Sequence, residues 1–225
     1  MITTPDYELA AAKALEILRD NRITETPINP LPILLQTPGV RVMPFTKMAS
    51  EVNRDRQDLV PMFGANTDAA TFHLQLPGLD DVDYVVVYNM RLPFELIWRA
   101  IARELGHIVL GHTGMARSVD ARMAEALCFA HHLISPRPII HFLQQSGLPL
   151  TMNVLSAVTG CSDECVDELQ TIPGVRVPRE LNAQVRDLFA PHLTEYINFH
   201  RSSPKIDKSP VIDFGTFMDG YAEED

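Results

Sequence analysis

The hydrophobic pattern of this chain changes at Pro93, and that change constrains the fold more than any other feature. Before it, β-branched and aromatic residues predict three strands at residues 39–45, 70–76 and 83–89, interspersed with short helices. After it, apolar residues recur at helical spacing almost to the end of the chain. The sequence therefore predicts an α+β fold, in which a mixed region is followed by an all-helical C-terminal region.

Capping residues and turn residues set the predicted helix boundaries. Asp6 and Asn29 are typical N-caps, and Pro30 suits the first turn of a helix that begins at Asn29. Gly111 is expected to end the helix that starts after Pro93. The predicted helices cover residues 6–19, a short segment from 29, 46–59, 93–110, 118–134, a segment after 138, 151–160, 162–170 and 179–200.

Charge and composition exclude several classes of partner. The formal charge of −10 opposes non-specific attraction to phosphates, and the helix-turn-helix-like segment 151–170 contains acidic residues but no lysine or arginine. We therefore expect no direct binding of nucleic acid. No apolar run approaches the ~20 residues of a membrane span, and the N-terminus lacks the pattern of a secretory signal. Together with an odd number of cysteines, this predicts a cytoplasmic protein with reduced thiols.

The segment from Arg103 to His112 reads Arg-Glu-Leu-Gly-His-Ile-Val-Leu-Gly-His. A catalytic zinc helix usually reads His-Glu-x-x-His, because residues four apart share one helix face, where two imidazoles bind the metal and the glutamate acts on its water. Glu104 takes the position of that catalytic base and His107 that of the second ligand. Glu125, on the next predicted helix, is a suitable third ligand. Arg103 stands where the first histidine would be.

These motifs resemble the ImmA/IrrE family of bacterial and phage-borne metallopeptidases. The second helix of that family commonly reads Glu-Ala-Asn-x-Phe-Ala followed by Leu-Leu-x-Pro. Here residues 125–130 read Glu-Ala-Leu-Cys-Phe-Ala, and residues 133–136 read Leu-Ile-Ser-Pro. Leu127 departs from the polar residue that is common at its position. The resemblance extends over roughly residues 8 to 172.

The resemblance implies a zincin-like domain at residues 1–136, with a small sheet packed on the two motif helices. A helical region with a helix-turn-helix-like segment would occupy residues 137–202, and residues 203–225 would form an acidic tail that either docks on the body or stays free. It also implies a regulator of a phage or mobile element. The expected partner is a helix-turn-helix transcriptional repressor, and the expected cofactor is zinc if the metal site is functional.

Arg103 leaves three outcomes open, because a guanidinium has no lone pair for a metal. In the first, Cys128 or His112 replaces the missing ligand and the chain is an active zinc endopeptidase. In the second, no metal binds, Arg103 pairs with Glu125, and the chain is a pseudopeptidase that only binds its repressor.

In the third outcome Arg103 turns away, and water or a partner group completes a weak site. For His112 a structural role is favoured over a role as a metal ligand. His112 follows His107 by five residues, which places it about 140° around a straight helix. The second outcome, a degenerate metal site without hydrolysis, is our prediction from the sequence.

Overall fold

The protein forms a small sheet and a larger set of helices, as the sequence predicts. The computed structural model describes residues 2–51, 67–73, 83–112, 117–169, 174–202 and 209–212. Their elements, in chain order, are α1 (Tyr7–Asp20), α2 (Pro30–Gln36), β1 (Val40–Pro44), α3 (Phe45–Glu51), β2 (Ala69–His73), β3 (Tyr84–Tyr88), α4 (Phe94–Val109), α5 (Val119–Ile134), α6 (Arg137–Gln145), α7 (Met152–Thr159), α8 (Asp163–Leu169) and α9 (Arg179–Ser202). The α+β class and the helical C-terminal region are confirmed.

Several helices begin at the residues that the sequence marks as caps. The Asp6 carboxylate accepts from the amide of Leu9, and the Asn29 side chain accepts from the amide of Leu31. Such bonds satisfy amides that have no partner inside the helix. One boundary differs, because α3 follows β1 directly and begins at Phe45. Several predictions lie outside the described residues, namely the extension of this helix to residue 59, the last part of the 70–76 strand, residue 170 and most of the tail.

The sheet has three strands in the order β1-β3-β2. β1 runs parallel to β3, with Val40 opposite Tyr84, whereas β2 runs antiparallel, with Ala69 opposite Tyr88. The central strand carries three consecutive buried valines, as expected for a strand covered on both faces. Within the described residues β2 pairs on one side only, and the carbonyl of Ala69 in this strand lies 3.4 Å from Nη2 of Arg103 on α4.

The two helices that carry the motif residues, α4 and α5, are called the motif helices. They pack closely because a glycine lies where they meet. A Cβ atom on Gly106 would lie 3.0 Å from the ring of Phe129, which is completely buried in α5. This contact fixes the spacing of α4 and α5. α1 covers the opposite side of α5 through buried alanines and leucines.

The C-terminal region packs through a regular apolar stripe on α9, where Val185, Phe189 and Leu193 recur every four residues and are fully buried.

Part of the predicted tail is ordered against the body. The amide of Ile212 donates to the carbonyl of Leu150 at 2.8 Å, in a short antiparallel contact before α7. Every helix in the described part of the chain is too short or too polar to span a bilayer.

Candidate functional site

The end of α4 brings a second histidine back toward the motif. The helix ends at Val109, and Gly111 follows with a φ of 67°, a conformation that glycine adopts without strain. The chain reverses there, and the amide of His112 donates to the carbonyl of His107 at 2.9 Å. The prediction that His112 lies on another face assumed a straight helix. That projection does not apply, because the helix ends at Val109, three residues before His112.

The imidazole of His112 bridges the two remaining metal-ligand positions. Its Nδ1 lies 2.9 Å from Nδ1 of His107, and its Nε2 lies 2.8 Å from Oε2 of Glu125. The side chains of His112 and Glu125 are only 2% and 3% exposed. A continuous hydrogen-bonded chain therefore joins α4 to α5 through His112.

The second oxygen of Glu125 is also fully engaged. Oε1 accepts from the backbone amide of Asp6 at 2.7 Å and forms an ion pair with Nη1 of Arg117. Arg122 supports the same region, because its Nη1 donates to the carbonyl of His112 at 3.1 Å. The buried carboxylate thus has a charged partner and two further hydrogen bonds, which compensates for the loss of water around it.

Arg103 bonds its neighbour in sequence rather than the downstream helix. Its Nε and Nη2 lie 3.1 and 3.0 Å from Oε1 of Glu104, and Nη2 lies 3.4 Å from the carbonyl of Ala69. The other oxygen of Glu104 accepts from the hydroxyl of Thr71 at 2.8 Å. The predicted pair between Arg103 and Glu125 is therefore wrong. Glu125 is already surrounded by other donors, whereas Glu104 and the edge of β2 lie within reach of the guanidinium.

Cys128 does not join this cluster. Its sulfur lies 3.7 Å from the carbonyl of Tyr7 and 3.6 Å from Nδ1 of His132, on the side of α5 that faces α1. Burial raises the pKa of Cys128 to about 12. The spacing of three residues from Glu125 therefore does not bring Cys128 into the site.

Proton positions in the cluster follow from its hydrogen bonds. Burial lowers the pKa of His107 to about 4 and also lowers that of His112, so both rings are neutral near pH 7. The carboxylate of Glu125, paired with Arg117, can only accept. Hence Nε2 of His112 donates to Glu125, its Nδ1 accepts, and Nδ1 of His107 carries the proton of the bond between the two rings.

These residues, as arranged, do not fit a zinc ion. Zinc needs donors at about 2.0–2.2 Å that converge on one point. The two nitrogens of His112 diverge across the ring toward His107 and Glu125, so the three side chains do not share a common centre. Among the described residues, no group of three histidine, cysteine, aspartate or glutamate side chains is arranged to hold a metal.

A cleft of about 480 Å³ lies over the cluster, between the edge of β2 and the two motif helices. On its α5 side, Val119 and Met123 are 63% and 43% exposed. The lining residues are Ala69, Ala70, Thr71, His73, Tyr84, Arg103, Glu104, His107, His112, Val119, Arg122 and Met123. The cleft combines an extended backbone edge with apolar and cationic side chains, which suits binding of a peptide segment.

Comparison of the chain with protein-family models, with curated proteins and with solved structures finds no match. The structure brings together Arg103, Glu104, His107, His112 and Glu125 from the sequence-based candidates. It adds Asp6, Thr71, Arg117 and Arg122, which sequence reasoning did not assign. No spacing rule marks these residues, since they approach the motif only through the tertiary fold.

Proposed function

We propose that this chain is a regulatory pseudopeptidase of zincin-like fold, resembling the ImmA/IrrE family. It binds a helix-turn-helix repressor of a phage or mobile element in the cleft without cutting it. The observation that carries this proposal is the ring of His112, which links His107 to Glu125 across the region where a shared metal would bind. A repressor acts on DNA in the cytoplasm, which is the expected location.

The state of Glu104 supports the absence of hydrolysis. A general base must be free to take a proton from the attacking water. Here one carboxylate oxygen accepts two bonds from Arg103, and the other accepts from Thr71. Charge-assisted hydrogen bonds of this kind are stronger than those between neutral groups. Arg103 thus replaces the first histidine ligand and also bonds the carboxylate of Glu104, which would otherwise act as the general base.

The edge of β2 supports a role in binding. An extended peptide can add to an unpaired strand edge through backbone hydrogen bonds, while side-chain pockets give specificity. β2 borders the cleft, and the exposed side chains of Val119 and Met123 lie on the opposite wall. A repressor segment in extended conformation, with apolar side chains facing α5, is the ligand that this cleft suits.

A second candidate is an active zinc endopeptidase in which His112 is the replacement ligand. It is favoured by one observation, the direct contacts of His112 with His107 and Glu125. It requires rotation of the His112 ring so that one nitrogen turns toward a centre shared with the other two side chains. No corresponding contact supports Cys128.

The two candidates differ in the effect of Arg103→His. The parent and this variant would be purified without chelator, analysed for zinc, and co-expressed with a helix-turn-helix repressor encoded beside the gene. The pseudopeptidase predicts that the parent co-purifies with intact repressor and no zinc, while the variant gains zinc. Arg91→His, at an exposed position before α4 and outside the cleft lining, is the control that should gain none. Zinc-dependent cleavage of the repressor by the parent would contradict the proposal and favour the peptidase.

A further inference from the structure

Two cysteines lie in direct contact away from the cleft. The sulfurs of Cys161 and Cys165 are 3.0 Å apart, and both residues are buried. Cys161 precedes α8, and Cys165 lies in its first turn, where its amide donates to the hydroxyl of Ser162 at 3.4 Å. Ser162 therefore provides an N-cap for α8. It explains the turn of the chain but not the contact between the two thiols, which we call the thiol pair.

We propose that the thiol pair is a modification site, at which a hydroperoxide oxidises Cys161 and Cys165 to a reversible intramolecular disulfide. A disulfide has an S–S distance of about 2.0 Å, so the sulfurs need to approach by only about 1 Å. Cys161 lies outside the helix, so it can move without breaking the hydrogen bonds of α8. This inference does not depend on the proposed function.

The surroundings of the pair distinguish its two members. The hydroxyl of Ser135 lies 3.5 Å from the sulfur of Cys161. Hydrogen bonds from Cys165 and Ser135 lower the pKa of Cys161 to about 7, although burial opposes this. The bond to Cys161 and burial raise the pKa of Cys165. Cys161, which lies outside α8 and also contacts the Ser135 hydroxyl, is the sulfur that reacts first, and Cys165 is the thiol that resolves the product.

The reaction balances with hydrogen peroxide as oxidant. The Cys161 thiolate attacks one peroxide oxygen, the O–O bond breaks, and a sulfenic acid and one water form after proton uptake. The sulfur of Cys165 then attacks the sulfur of Cys161, the S–OH bond breaks, and the thiol proton leaves with hydroxide as a second water. Two thiols and one peroxide thus give one disulfide and two waters. The two electrons pass from sulfur to oxygen.

The pair belongs to a segment that is packed against the motif helices. A Cβ atom on Gly160 would lie 2.9 Å from the ring of Trp98 on α4. Three residues after Cys165, Glu168 forms an ion pair with Arg99 of α4 and lies 3.6 Å from Nε2 of His131 on α5. These contacts hold α8 in position, which keeps the two sulfurs together and favours a bond within one chain over bonds between chains.

Cys128 is the internal control. It is also buried, but its sulfur contacts a carbonyl and an imidazole, and no other thiol contacts it within the described residues. Burial raises its pKa to about 12, so almost no thiolate is present at neutral pH. The structure thus predicts that oxidation distinguishes between three buried cysteines of one chain.

The test exposes the reduced, folded chain to hydrogen peroxide, quenches it, unfolds it in an alkylating agent and counts modified cysteines by intact mass. Wild type contains three cysteines and should lose two alkylation sites, which dithiothreitol restores. Cys128→Ser should lose both of its remaining sites. Cys165→Ser should form no intramolecular disulfide, and its Cys161 sulfenic acid should react with dimedone. Peptide mapping should find Cys161 linked to Cys165.

The wild-type and Cys128→Ser measurements test the proposed disulfide even if Cys165→Ser does not fold. Retention of all three alkylation sites in wild type, at peroxide concentrations that oxidise free glutathione, would overturn the proposal. So would disulfides that join two chains, or loss of Cys128 reactivity before that of the thiol pair.

Discussion

Replacement of His112 by alanine tests whether this ring holds the two motif helices together. The substitution removes two hydrogen bonds, one to the buried carboxylate of Glu125 and one to His107. A hydrogen bond to a charged group contributes about 1.5–3 kcal/mol, and a neutral one about 1 kcal/mol. Glu125 keeps its bonds to Arg117 and the Asp6 amide, so its charge stays compensated. We therefore expect a loss of about 3 kcal/mol in the free energy of unfolding.

The assay is urea unfolding of wild type, His112→Ala and the control His73→Ala. His73 is an exposed histidine that lines the same cleft, and such positions usually change stability by less than about 0.5 kcal/mol. His112→Ala should lower the unfolding midpoint strongly, and His73→Ala should barely change it. Equal midpoints for the two variants would refute the structural role assigned to His112.

Two further predictions concern the buried interior. Burial lowers the pKa of His107 and His132 to about 4 and that of His131 to about 3, so the unfolded chain binds more protons below pH 6.5. The free energy of unfolding should therefore be highest above pH 6.5 and fall toward pH 4, by up to about 1.4 kcal/mol per pH unit for each histidine. Urea midpoints that stay constant from pH 7 to 5 would contradict this. Gly106→Ala should lower the thermal midpoint, because its Cβ would lie 3.0 Å from the buried Phe129 ring. Overpacking costs about 1–3 kcal/mol, and most of that range exceeds the roughly 1 kcal/mol gained in helix propensity. An unchanged or higher midpoint would contradict the close packing of α4 on α5.

Local signals in the sequence were sufficient for most of the fold. Caps such as Asp6 and Asn29 indicated where α1 and α2 begin, and the run of valines predicted the central strand. These elements depend on residues close in sequence, so pattern reasoning reaches them. The same holds for Glu104 and His107, whose spacing on one helix is a local property.

The arrangement inside the site could not be predicted in this way. The location of His112 depends on the backbone turn at Gly111, which a helical projection does not represent. The partner of Arg103 was predicted wrongly because the edge of β2 and the donors around Glu125 come from distant parts of the chain. Sequence spacing identified which groups belong to the site, and the fold determined which of them bind one another.

The proposed function requires that His112 and Arg103 leave no place for a metal. Its most direct test is equilibrium dialysis of the unmodified chain against zinc at pH 7, followed by metal analysis of the protein. We predict well under about one tenth of a zinc ion per chain, since the site offers no converging set of ligands. A stoichiometry near one, lost in the His107→Ala variant, would contradict this account and support a zinc site with His112 as its third ligand.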